Sequence, residues 1–222
     1  MFCKSLINGK ENMICKKCIS TLPYTKNNGC FEAIGADYLI SPLLYKGNAA
    51  RAIRDLKFKS KFENADVFAS LICGYLFENK QAMAADIIVN VPLSPKSLVR
   101  RGFNQTTLIA DRISKKLNIA FDEEILIKTR ETKRQSSLKT FSERAQNIYN
   151  VYECTKDMHG KTVLLVDDIY TSGMTVYDCS RALKQKGANA VIAVTVANAH
   201  KDAGFSKHDY VASRLVFNAK NK

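Results

Sequence analysis

The chain has no apolar stretch approaching the roughly 18 residues that a membrane-spanning helix needs, and its opening residues, MFCKSLINGKEN, lack the apolar centre of a secretory leader. A cytoplasmic protein is the expectation. A Pro-rich or Gly/Ser-rich linker is missing as well, and so is any internal repeat, so a string of domains or a repeat array is not expected. Histidine is scarce, and His159, His200 and His208 fall at no spacing that suits metal ligation or a catalytic triad. Acids are outnumbered: 34 Lys and Arg against 21 Asp and Glu leave a net charge of +13. That surplus favours an anionic partner, either nucleic acid or a phosphorylated small molecule. What remains is ordinary globular material. With 222 residues, 46% of them apolar and 25% charged, the chain has enough for one α/β domain and a short appendage, and too little for two full domains.

Four of the seven cysteines lie in the first thirty residues, where Cys3, Cys15, Cys18 and Cys30 follow C-x11-C-x2-C-x11-C. This clustering suits metal ligation in a reducing compartment better than a disulfide framework. Four thiolates suffice for a tetrahedral Zn²⁺ site, and such a site could order a segment that has no apolar period of its own. A Cys-rich, zinc-finger-like module over 1–34 is therefore expected ahead of a sheet domain over 35–222. Cys73 and Cys179 fall on apolar helix faces and Cys154 in a strand, as core residues do.

Along the sheet domain, YLISPLLY (38–45) favours strand and is broken by Pro42, which predicts a hairpin or an edge-strand pair. Phe68, Leu71, Ile72, Tyr75 and Leu76 recur at the spacing of one helical face. DIIVNV (86–91) and TVLLVD (162–167) are short apolar runs of the kind that form buried parallel strands. Asn104 is placed to cap a helix running to about Leu117, and ILIK (125–128) reads as a further strand. A helix from about Thr175 to Lys186, stopped by Gly187, connects TVLLVD to the strand AVIAVTVA (190–197). Strand, helix and strand over this length form a βαβ crossover. It puts residues 167–175 at the carboxyl edge of a parallel sheet, where α/β proteins bind ligands.

That loop carries the chemistry. In VLLVDDIYTSGMT (163–175) a strand delivers two acids, a glycine allows a tight turn, and the amides of the next helix start lack intrahelical acceptors. Thr171, Ser172 and Thr175 add hydroxyl donors to the amides of 172–175 around Gly173, which makes a monophosphate cradle favoured by the helix dipole, and Ile169, Tyr170 and Met174 are the other ligand-binding candidates of the loop. Asp167 and Asp168 end the strand on opposite sides of its pleat, so at least one carboxylate faces the crevice, to accept from sugar hydroxyls or to hold Mg²⁺ through water.

This segment resembles the phosphoribosyl pyrophosphate (PRPP) signature of type I phosphoribosyltransferases. The order of VPLSPKSLVRRGFNQ (91–105), KTRETKRQSSLKTFSERAQNIYNVYE (128–153), the PRPP segment and ALKQKGANAVIAVTVA (182–197) resembles the ComF family of competence-associated, phosphoribosyltransferase-like proteins. The resemblance implies a type I phosphoribosyltransferase-like parallel sheet flanked by helices, preceded by a zinc-ribbon-like module. It implies that Leu93, Ser94, Pro95 and Lys96 wrap the pyrophosphate, and that 129–147 forms a hood in which Arg130, Arg134 and Gln135 keep the family's Arg/Gln pattern. PRPP with Mg²⁺ would be the ligand, structural Zn²⁺ the second metal, and a DNA-uptake helicase a partner.

Catalysis, where present, would displace Mg²⁺-pyrophosphate from the ribose C1 carbon, aided by Asp167 and Asp168. No base for an incoming acceptor is evident, so PRPP binding is better supported than turnover. Basic tracts with Lys57, Lys59, Lys61, Arg100 and Arg101, near Phe58, Phe62, Phe103 and Phe141, are candidates for single-stranded DNA contact. Three functions remain open: a PRPP- and DNA-binding competence factor, a metabolic phosphoribosyltransferase, and a non-catalytic adaptor for uptake proteins.

Overall fold

The computed structural model describes residues 14–26, 29–132, 147 and 149–200. Its centre is a sheet in the order β1-β2-β9-β8-β4-β5. The strands are β1 (Cys30–Phe31), β2 (Tyr38–Ile40), β3 (Leu43–Leu44), β4 (Ile87–Asn90), β5 (Ala120–Phe121), β8 (Thr162–Tyr170) and β9 (Ala190–Asn198). Only β1 runs antiparallel; every other pairing in this sheet is parallel. A separate antiparallel pair, β6 (Leu126–Lys128) and β7 (Tyr152–Cys154), stands beside it. The described helices are α1 (Lys16–Ser20), α2 (Gly47–Lys59), α3 (Glu63–Phe77), α4 (Lys80–Met83), α5 (Pro95–Arg101), α6 (Gln105–Leu117) and α7 (Met174–Gln185).

A parallel sheet covered on both faces needs strands that are apolar on both sides of the pleat. β9 is buried along its whole length, and β8 alternates between two cores. On one face Leu164 and Val166 meet Leu56 of α2, Phe68 and Ile72 of α3, and Ile109 and Ile113 of α6. On the other, Val163 and Leu165 meet Val176, Cys179 and Leu183 of α7 together with Leu126 and Tyr152 of the β6–β7 pair. This alternation sends Asp168 toward the α2 and α6 side and Asp167 toward the α7 and β7 side.

Two sequence expectations change in detail. The run 38–45 is no hairpin: Ile40 pairs with Val194 and Leu43 with Ala197, one unbroken register along β9 with Pro42 in the gap. Proline has no amide to donate, so the strand is interrupted without turning back. β8 does not end at the acids. Asp167, Ile169 and Tyr170 pair with Thr195, Ala197 and Asn198 of β9, which carries the strand through both carboxylates.

The amino-terminal residues join the same cores. Cys18 and Leu22 pack on the α3 face, Phe31 packs on the α7 face, and Cys30 pairs across to Ile40. Cys15 precedes α1, Cys18 is buried and Cys30 is exposed. Cys3 lies outside the described residues, and among the described residues no three metal-ligating side chains converge.

Candidate functional site

A cleft of about 490 Å³ opens at the carboxyl edge of β4 and β8. It brings together chain segments far apart in sequence: Asp167, Asp168, Ile169, Thr171 and Thr175 from β8 and the start of α7, and Val91, Pro92, Leu93 and Ser94 after β4. Lys57 and Arg54 of α2, Arg100 and Arg101 of α5, Lys128 of β6, and the acid Glu131 just after β6 complete its charged lining.

The turn that the sequence suggested as a phosphate cradle is built around Gly173, at φ 76°. A Cβ there would lie 2.5 Å from the Tyr170 hydroxyl oxygen, so both the backbone conformation and the space demand glycine. Tyr170 itself does not face the cleft. It is buried, and its hydroxyl accepts from the Ile34 amide at 3.1 Å; burial pushes that hydroxyl's pKa up to about 12. Ser172 and Met174 are also buried, and the cleft lining from this turn comes from Ile169, Thr171 and Thr175. His200 reaches the same turn from behind, its ring nitrogen meeting the Thr171 carbonyl.

On the other side Ser94 caps α5, accepting from the Ser97 amide at 3.3 Å, and donates to Glu131 at 2.8 Å. Glu131 also accepts from the Lys96 amide at 3.2 Å. A carboxylate thus occupies donors that an anionic ligand would use. Pro95 and Lys96 are exposed and do not line the cleft.

The acidic pair is divided by the pleat. Asp168 is buried, and its Oδ2 accepts from Gln105 Nε2 at 2.6 Å and from Lys57 Nζ at 2.7 Å. Asp167 is half-buried and takes the Asp168 amide at 2.8 Å; no side chain among the described residues donates to it. Burial first and the charge of Asp168 second push the Asp167 carboxyl up to about 7. Across the cleft Lys128 sits 5.7 Å from the Tyr152 ring centroid, and burial lowers its pKa. Asp178, buried on α7, holds the β7 side in place by accepting from the amides of Asn150, Val151 and Tyr152.

The basic candidates separate. Lys57, Arg100 and Arg101 line the cleft, whereas Lys59 and Lys61 both pair with Asp55, at 2.9 and 3.2 Å. Arg130 donates to the Tyr149 carbonyl at 3.0 Å and does not line the cleft. Arg134, Gln135 and Phe141 lie outside the described residues, as do all of residues 133–146 of the expected hood. Phe58 is 66% exposed under the Arg101 guanidinium, and Phe62 packs edge-on against Phe103. Sequence reasoning missed Gln105, Glu131, Lys128 and Tyr152. Gln105 stands just inside the Asn104 cap, a recognisable position, but nothing in the sequence signals that it faces an aspartate 63 residues away.

An acid pair, a glycine turn at a helix start and a second loop at one sheet edge define a phosphoribosyltransferase fold, and residues 106–221 match the family described as phosphoribosyl transferase domain. The chain belongs to that family, and within it to the ComF group. It is 31% identical over 161 residues to the DNA utilization protein YhgH of Escherichia coli, a match covering 70% of this chain and 66% of that protein, just under two thirds of its length. It is 28% identical over 187 residues to competence protein ComFC of Streptococcus pneumoniae, covering 82% of this chain and 79% of that one. Competence protein F of Haemophilus influenzae is 23% identical over 211 residues, covering 85% and 92%.

Proposed function

We propose that the protein is a ComF-like factor for DNA uptake in natural transformation, that it binds PRPP in the cleft at the carboxyl edge of β8, and that it also binds single-stranded DNA. The observation that carries the reading is convergence: two loops about eighty residues apart meet around Asp167 and Asp168 in one cleft. The names of the relatives supply the uptake role. In this reading Thr171, Thr175 and the amides after Gly173 grip the 5′-phosphate, Asp167 and Asp168 accept from the ribose hydroxyls, and Leu93 and Ser94 border the pyrophosphate.

Mg²⁺ fits this arrangement through water. Asp167 is a half-buried carboxylate without a side-chain donor among the described residues, while Asp168 Oδ2 is already filled by Lys57 and Gln105. The ion would supply charge neutralisation on the pyrophosphate. DNA contact would rest on the +13 charge and on Arg101 beside Phe58. Zinc held by Cys3, Cys15, Cys18 and Cys30 is part of the proposal and is read out by metal analysis of the purified protein. A DNA-uptake helicase is the proposed protein partner.

The test is calorimetric titration of PRPP with and without Mg²⁺. The double substitution D167N/D168N removes two charge-assisted acceptors, each worth about 1.5–3 kcal/mol, and is expected to weaken binding by more than about tenfold. Unchanged affinity would refute the PRPP reading. Single-stranded DNA binding by anisotropy is expected to fall steeply as salt rises; a salt-insensitive signal would refute the electrostatic contact.

A further inference from the structure

We propose that Lys57 is a positioning residue of the ligand cleft, the built-in countercharge that lets an anionic sugar phosphate lie against Asp168. The inference rests on reading the cleft as a PRPP site. Lys57 belongs to α2, outside the stretch that matches the phosphoribosyl transferase domain. Its neighbours in sequence behave as surface lysines do, since Lys59 and Lys61 share Asp55. Lys57 turns inward instead: its side chain is 16% exposed and its ammonium lies 2.7 Å from Asp168 Oδ2.

Two adjacent carboxylates at the edge of a cleft repel a sugar phosphate, whose charge has the same sign. Desolvation makes a buried carboxylate costly unless a cation and further hydrogen bonds accompany it. Lys57 and Gln105 supply both to Asp168. Their two bonds fill Oδ2, which leaves Oδ1 to accept a hydroxyl in one fixed orientation.

The arrangement is held at a second point. Gln105 Oε1 accepts from Arg101 at 2.9 Å, and the Arg101 guanidinium lies 5.3 Å from the ring centroid of Phe58, the residue after Lys57. Consecutive residues of α2 therefore grip the same network, one through charge and one through its ring. Lys57 is thereby assigned to the sugar-phosphate site and removed from the candidate DNA contacts.

The experiment compares wild type, K57M and K57R by calorimetry with PRPP and with ribose 5-phosphate in Mg²⁺, alongside melting temperature and single-stranded DNA anisotropy. K57M is expected to weaken both sugar phosphates by about tenfold or more, the loss of one charge-assisted interaction. K57R, which keeps the charge, restores most of that affinity, and DNA affinity of K57M at matched salt stays within about twofold, since one exposed phosphate contact is not lost. K57M that binds PRPP like wild type, while D167N/D168N does not, overturns the role of Lys57 and leaves the cleft reading intact. Loss in K57R equal to that in K57M, with a matching fall in melting temperature, overturns it in favour of packing. Wild-type protein that binds neither sugar phosphate overturns the cleft reading and this inference with it.

Discussion

Replacing Asp167 by Asn should make the protein more stable, and increasingly so as pH rises toward neutrality. Asp167 is half-buried beside Asp168, and burial together with that neighbour raises its carboxyl from 3.8 to about 7. A carboxyl whose folded pKa lies above its unfolded value binds more protons in the folded state, so folding loses stability as pH climbs between the two values. At about 1.4 kcal/mol per pH unit that interval corresponds to a ceiling of about 4 kcal/mol. Partial solvent access and sharing of charge with Asp168 reduce it, and about 1–2 kcal/mol is the expected penalty above pH 7. Asparagine keeps an oxygen to accept the Asp168 amide, loses the charge and turns the second carboxylate oxygen into an NH2 donor. Urea denaturation of both proteins at pH 4.5, 6, 7 and 8 is the assay. The stability difference should be small at the lowest pH, grow through the window between about 4 and 7, and level off above it. A constant difference across the series would refute the claim that Asp167 resists ionisation in the folded state.

Two further substitutions test the supports of the cleft. Asp178→Ala leaves the amides of Asn150, Val151 and Tyr152 without their acceptor, and a loss of about 3 kcal/mol or more is expected in urea denaturation; a loss below about 1 kcal/mol would show that β7 is held by other means. Gly173→Ala forces a left-handed backbone on alanine and drives its Cβ against the Tyr170 hydroxyl. The backbone cost alone is about 1–2 kcal/mol, so both the melting temperature and PRPP affinity should fall, and a variant as stable as wild type would remove the steric argument for glycine.

The βαβ unit from 162 to 198 was legible because a buried parallel strand and an amphipathic helix each leave a distinct apolar period, and Val176, Cys179 and Leu183 are buried as that period predicts. The acid pair and glycine turn were legible because neighbouring residues carry their chemistry. The reach of β8 past Asp167 was not, since it is set by pairing with β9 across the sheet. The constant register on both sides of Pro42 escaped notice for the same reason. Lys57 shows the limit most clearly. In sequence it is one of three lysines at alternate positions, and only the tertiary placement of α2 against the sheet turns it toward Asp168 of β8 while the other two face Asp55. Asp55 and Lys59 are four apart on one helix, a pairing the sequence did display.

The tyrosine beneath the glycine turn has a practical consequence. Its hydroxyl is bonded to the main chain at Ile34, and Gly35 lies so close to Tyr177 of α7 that a Cβ there would come within 2.7 Å of the ring. The stretch around residues 34 and 35 is thus a keystone behind the turn. A shortened version cut to the recognisable transferase segment would keep every residue of the glycine turn and lose the wedge that sets its shape, along with Lys57.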